Sequence, residues 1–126
     1  MDTDWVIHAL HGVAPITARV EQLAPHGLGL SIVSMAELYQ GVFYSTNPSG
    51  NERSLQDFLS GVDVVSLDDE ICRLFAMERG RLRAEGISIG DFDILIGATA
   101  IRYDLTLLTN NRRHFTRLRG LNIISV

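Results

Sequence analysis

Gly90-Asp91-Phe92-Asp93-Ile94-Leu95-Ile96-Gly97-Ala98-Thr99-Ala100 is the stretch whose reading decides the fold. From Phe92 to Ile101 the only polar side chains are Asp93 and Thr99. A helix apolar on nearly every face belongs inside a domain, not on its surface. Its first turn therefore starts at or near the interior and carries charge there. Buried carboxylates are costly unless paired, hydrogen-bonded or bound to a metal. Acids in a first turn also complement the helix dipole and cap free N–H groups, so the stretch taken alone reads as a capped core helix. Residues at i and i+2 do not share a helix face. That divides the roles, with Asp91 as N-cap and Asp93 as the inward-facing group.

Outward from this helix the chain alternates. A helix is predicted from near Asp4, ended by Gly12, and Pro15 suits the first turn of a second, about 16–23. Residues 28–33 are a short branched apolar run of strand type. Ser34-x-x-Glu37 follows as a capping box, with Ser34 as N-cap and Glu37 at the third helical position. Residues 45–50 read as a turn, 51–59 as a helix and 62–67 as a second strand. A long helix about 69–84 is stopped by Glu85-Gly86, and the central helix spans about 91–103. A third strand at 105–108, a short helix around 112–118 and a final strand at 121–126 complete the order. Strands alternating with helices predict an α/β fold, a parallel sheet covered by helices on both faces, in one domain over 1–126.

The chain has 126 residues, 46% of them hydrophobic, and a formal charge of −4. Residues 1–70 hold ten acids and two arginines, whereas 71–126 hold five acids and nine arginines. Such asymmetry suggests an anionic partner for the second half. Arg112, Arg113, Arg117 and Arg119 cluster tightly there; each can equally be part of a solvated face. The apolar run from Ile94 to Ile101 is far short of the roughly 20 residues that span a bilayer. The acidic start lacks the basic segment of a signal peptide. The single cysteine, Cys72, reads as a small core residue in a reducing cytoplasm. There is no lysine, which disfavours phosphatases built on an Asp2-x-Asp4 pair, since those normally need one.

In open parallel sheets, ligands bind beyond the carboxyl ends of the strands. Ser34 and Glu37 follow the first strand run, Thr109 to Asn111 follow the third, and Asp93 opens the central helix. Asp2 would follow a strand at the N-terminus. Carboxylates converging without lysine call for a hard divalent cation, Mg²⁺ or Mn²⁺. Such an ion supports hydrolysis of a phosphodiester.

Four segments carry a resemblance: Met1-Asp-Thr3; Ser34-x-x-Glu37-Leu-x-x-Gly41; Gly90-Asp-x-Asp93-x-x-Ile-x-Ala-x-Ala100; and Thr109-x-Asn111-x-x-x-Phe115. Together, in order and at fitting spacing, they resemble the PIN domains, and within them the VapC ribonuclease toxins of VapBC toxin–antitoxin pairs. The resemblance implies a three-layer α/β/α fold around a mostly parallel sheet. It implies a metal-dependent endoribonuclease using Mg²⁺ or Mn²⁺, with Asp2, Glu37 and Asp93 as ligands and Asn111 where many members carry a fourth acid. Asp91, Thr109, Ser34 and Asp4 would support those groups, and Arg112, Arg113 and Arg117 would hold RNA. A cognate VapB-type antitoxin, a homodimer and a cytoplasmic location follow from the same likeness. One departure is that only Met1 precedes Asp2, where members carry a first strand. Trp5, Val6 and Ile7 are therefore expected to anchor Asp2 by burial, with weak metal affinity as the consequence. The alternative is a non-catalytic PIN-like module that binds RNA or protein and has lost metal.

Glu37, Thr109 and Asn111 each have a capping explanation, and Asp4 reads as a first-turn cap. His8 and His11, three apart and lacking a third ligand, read as surface or packing residues. Tyr39, Val42, Phe43, Tyr44, Leu55 and Phe58 read mostly as core, part of it a groove for a partner helix.

Overall fold

Asp2 opens the first helix, α1 (Thr3–Leu10): its backbone is extended and its carboxylate accepts the Thr3 N–H at 2.8 Å. The computed structural model describes residues 1–126. They form two compact units, Met1–Val65 with Val126, and Ser66–Ser125.

In the first unit, α1 is followed by α2 (Ala14–Leu23), with Pro15 in its first turn as expected. A single 3-10 turn at Ala24–His26 leads into β1 (Gly29–Ser31). Then come α3 (Ile32–Phe43), α4 (Pro48–Leu59) and β2 (Asp63–Val65). Strands β1 and β2 pair in parallel, Leu30 opposite Val64. Trp5, Val6, Leu30 and Leu55 are this unit's most deeply buried apolar side chains. The capping box is corrected: Ser31, not Ser34, caps α3, accepting the Val33 N–H at 3.1 Å. Ser31 ends β1 with an extended backbone, so the helix begins three residues earlier and Ser34 falls inside its first turn. The expected turn at 45–50 is also shortened. Asn47 caps α4 by accepting the Gly50 N–H, and Pro48 takes the first helical position, where its missing N–H costs nothing.

In the second unit, α5 (Asp69–Ala84) has its expected limits. Asp68 caps it through Ile71 N–H at 2.8 Å, and Gly86, at φ +71°, takes the left-handed conformation just beyond it. Helix α6 (Asp91–Arg102) packs against α5, burying Ile94, Ile96, Ala98 and Ala100. Strand β3 (Thr106–Leu108), α7 (Arg112–Phe115) and β4 (Asn122–Ile124) follow. Strands β3 and β4 are parallel, Leu107 opposite Ile123. Gly90, not Asp91, is the N-cap of α6 and offers no side chain. Asp91 instead pairs with Arg79 of α5 at 3.1 Å. Cys72 is exposed, against the core reading. It follows Ile71, which α5 turns fully inward, and the next position on a helix is rotated away by about 100°.

Both strand pairs are parallel, as alternation predicts, but each strand is shorter than its apolar run. Apolar runs record burial, and their ends here lie in helix or loop: Ile32 and Val33 belong to α3. No helix is long and apolar enough to cross a membrane.

Candidate active site

In the first unit the polar centre is built on Asp2, Thr3 and Glu37. Asp2 is only 5% exposed. Two of the three expected anchors hold this segment: Trp5 and Val6 are fully buried, but Ile7 is 37% exposed. At about 100° per residue, Trp5 and Val6 together define the inward face of α1 and Ile7 falls about 150° from its middle, on the outer side. The Met1 amine donates to the Gly29 carbonyl of β1 at 2.9 Å. Burial lowers its pKa from 8.0 to about 6, opposed by the neighbouring Asp2 carboxylate. Thr3 links the two acids: its N–H goes to Asp2, and its hydroxyl donates to Glu37 Oε1 at 2.8 Å. Glu37 is half-buried on α3 and enters no ion pair. One turn earlier on the same helix, the Ser34 hydroxyl is fully buried without a hydrogen-bond partner. Asp4 is exposed in the first turn of α1, where its charge complements the helix dipole.

In the second unit, Asp93 is half-buried in the first turn of α6. Its Oδ2 lies 2.8 Å from His114 Nδ1, and the Asn111 side-chain amide lies 3.1 Å from the same ring nitrogen. Asn111 occupies the N-cap position of α7 but does not cap it with its side chain. The Thr109 hydroxyl accepts the Asn111 N–H at 2.9 Å. Thr109 is itself pinned to the β4 segment, its N–H donating to Ile124 at 3.0 Å and its carbonyl accepting from Ser125 at 2.6 Å. Phe115, fully buried, anchors α7. Arg112, Arg113 and Arg117 are exposed. Arg119 pairs with Glu85 at 3.7 Å, which separates it from the other three.

Thr3 and His114 are the residues that motif reading passed over. Thr3 was visible only as the third letter of Met-Asp-Thr. His114 lay inside the Thr109-to-Phe115 spacing, three positions from Asn111 and so on its side of a helical turn. Of the groove set, Val42 and Leu55 are core, whereas Phe43 is 57% and Tyr44 88% exposed. His8 and His11 are exposed.

The donor chemistry suits a hard divalent cation. In the first unit Asp2 and Glu37 offer oxygens, and the buried, partnerless Ser34 hydroxyl on the Glu37 side of α3 is a group that a hydrated ion or a phosphate would satisfy; in the second unit the oxygens are those of Asp93 and Asn111. No three histidine, cysteine, aspartate or glutamate side chains of the chain gather closely enough to hold a metal by themselves.

The PIN domain family profile matches residues 2–121. Ribonuclease VapC1 of Haemophilus influenzae strain R2866 is 30% identical over 123 residues, covering 96% of this chain and 92% of that protein. VapBC2 from Rickettsia felis, solved bound to a DNA fragment from its promoter, is similar at TM-score 0.93 and 28% identity over 99% of this chain and 96% of that one. DNA-bound VapBC from Salmonella typhimurium gives 0.91 and 26%, over 98% and 94%. The helical and strand content agrees with the three-layer α/β/α fold that the sequence motifs imply.

Proposed function

The chain belongs to the PIN-domain family, in the company of the VapC ribonucleases, and from that membership we propose that it is a metal-dependent endoribonuclease and the toxin of a type II toxin–antitoxin pair. The observation that carries the reading is a set of oxygen donors at the family's positions: Asp2 with Thr3 and Glu37, and Asp93 beside Asn111. On this reading 1–126 is one functional domain. Asp2, Glu37 and Asp93 hold Mg²⁺ or Mn²⁺, and Asn111 completes the catalytic set. A divalent ion supplies charge stabilisation at a phosphodiester and lowers the pKa of a bound water. The chain's own residues supply placement. Thr3 keeps Glu37 turned toward Asp2, Thr109 holds Asn111, and Ser34, Asp91 and Asp4 add polarity around the acids. Arg112, Arg113 and Arg117 bind the phosphates of the RNA.

The VapBC assemblies among its structural relatives support a VapB-type antitoxin as partner. The exposed Phe43 and Tyr44 at the end of α3 are suited to receive it. A homodimer and a cytoplasmic location complete the reading. The test is cleavage of RNA by purified protein with Mg²⁺ or Mn²⁺. Chelator and Asp93→Asn should each abolish it, the latter with the fold intact. Full activity in either arm would overturn the mechanism. Metal-independent RNA binding without cleavage would instead identify a non-catalytic PIN-like module.

A further inference from the structure

We propose that His114 is the positioning residue for Asp93, and that Asn111 acts through His114 rather than as an independent ligand. The proposal rests on the ribonuclease reading for its consequence, but its geometry stands apart from it. His114 Nδ1 faces two polar groups at once, Asp93 Oδ2 at 2.8 Å and the Asn111 amide at 3.1 Å. An ionised carboxylate only accepts hydrogen bonds, whereas a ring nitrogen carries either a hydrogen or a lone pair. A bare Nδ1 would set its lone pair against the carboxylate's at 2.8 Å, which is repulsive. Nδ1 therefore carries the hydrogen and donates to Asp93. The Asn111 amide must then turn its oxygen, not its nitrogen, toward that N–H; amide orientation is an assignment made from such networks.

Two consequences follow. One oxygen of Asp93 is engaged by His114, which leaves the other free for a cation and fixes the carboxylate plane. The Asn111 oxygen is turned to the imidazole, so the neutral residue at the family's fourth-acid position orients the ring. The scaffold supports this, since Thr109 holds the Asn111 backbone and buried Phe115, next to His114, fixes α7. Partners behind a metal-binding side chain typically govern 10–100-fold in affinity.

Two measurements test this. Imidazole nitrogen NMR on the metal-free protein, recorded on the neutral ring, should show the Nδ1–H form of His114. Reversion to Nε2–H is expected in Asp93→Ala. An Nε2–H ring in the unsubstituted protein would overturn the proposal, whatever the protein's activity. Calorimetric titration with Mn²⁺ should show about 10–100-fold weaker binding in His114→Ala. His114→Asn, whose amide N–H reaches a similar place, should restore most of it. Asn111→Ala should add nothing further in the His114→Ala background. Unchanged affinity in His114→Ala, no rescue by His114→Asn, or additive losses would each overturn it. Asp93→Asn is the control: if Mn²⁺ binding survives there, the ribonuclease reading fails, and the tautomer measurement still decides the role of His114.

Discussion

Thr3 touches both candidate metal ligands of the first unit, through its N–H to Asp2 and its hydroxyl to Glu37. Thr3→Val keeps the shape and removes only the hydroxyl donor, leaving Glu37 free to rotate. Mn²⁺ affinity should fall by about 10–100-fold with an unchanged circular dichroism spectrum. Affinity equal to that of the unsubstituted protein would show that Glu37 is oriented by something else. Asp68 makes a separate case. The Ile71 N–H beside it holds its carboxyl below the usual carboxylate range; partial burial opposes this, and Arg102 and the Tyr103 hydroxyl add to the lowering. A carboxyl depressed on folding stabilises the protein above its unfolded pKa, and that contribution is lost as pH falls through its folded pKa. Asp68→Ala should therefore lower Tm at neutral pH, with the difference from the unsubstituted protein shrinking on acidification below the carboxylate range. A difference undiminished in strong acid would mean that the cap acts without its charge.

At the scale of elements, α6 needs a glycine where the chain's apolar pattern shows only a small residue. A Cβ on Gly97 would run into the Leu118 side chain and lie 3.7 Å from Phe115. Leu118 is itself buried, so it has little room to turn away. Gly97→Ala should cost about 1–3 kcal/mol of stability by overpacking, despite alanine's better helix propensity. Chemical denaturation reads this directly, and an unchanged or raised midpoint would show that Leu118 swings aside freely. Phe115, on the same side of that contact, neighbours His114, so Gly97→Ala should also weaken Mn²⁺ binding. Helix α5 shows when an element is legible in advance: an acidic start and a Glu-Gly stop bound it without competition. Helix α3 shows when it is not. Two serines three positions apart, Ser31 and Ser34, could each cap it, and the end of β1 decided for Ser31.

For the molecule as a whole, charge and metal make the predictions. Exposed Arg112, Arg113 and Arg117 are available to phosphates, whereas Arg119 is held by Glu85. Replacing Arg112 and Arg113 with glutamine should weaken RNA binding and flatten its salt dependence by roughly 0.7 per lost contact on single strands. An unaltered slope would return both to a solvated face. Mn²⁺ at a hundredfold excess over its Kd should stabilise the native protein by about 2.7 kcal/mol. The sole tryptophan, Trp5, is fully buried in α1 and should report that shift by fluorescence. Asp93→Asn should erase the metal-induced shift while leaving the metal-free transition in place.

The sequence alone determined the α/β alternation, the parallel pairing, the family's motifs and the extent of α5. These follow from short-range periodicity and from residue types with few alternatives. The resemblance to the PIN motifs also singled out Asp2, Glu37, Asp93 and Asn111 as expected site residues, because residue type and order along the chain are enough to match a motif. Only the tertiary structure decided which serine caps α3, that Asp91 turns to Arg79, that Cys72 and Ile7 face outward, and that Thr3 and His114 stand behind the acids. Those choices depend on partners far away in the chain: Thr3 meets Glu37 across 34 positions, and Asp93 meets His114 across 21. A hydrogen bond of that range leaves no periodic trace in sequence; it exists only once packing has set both helices in place.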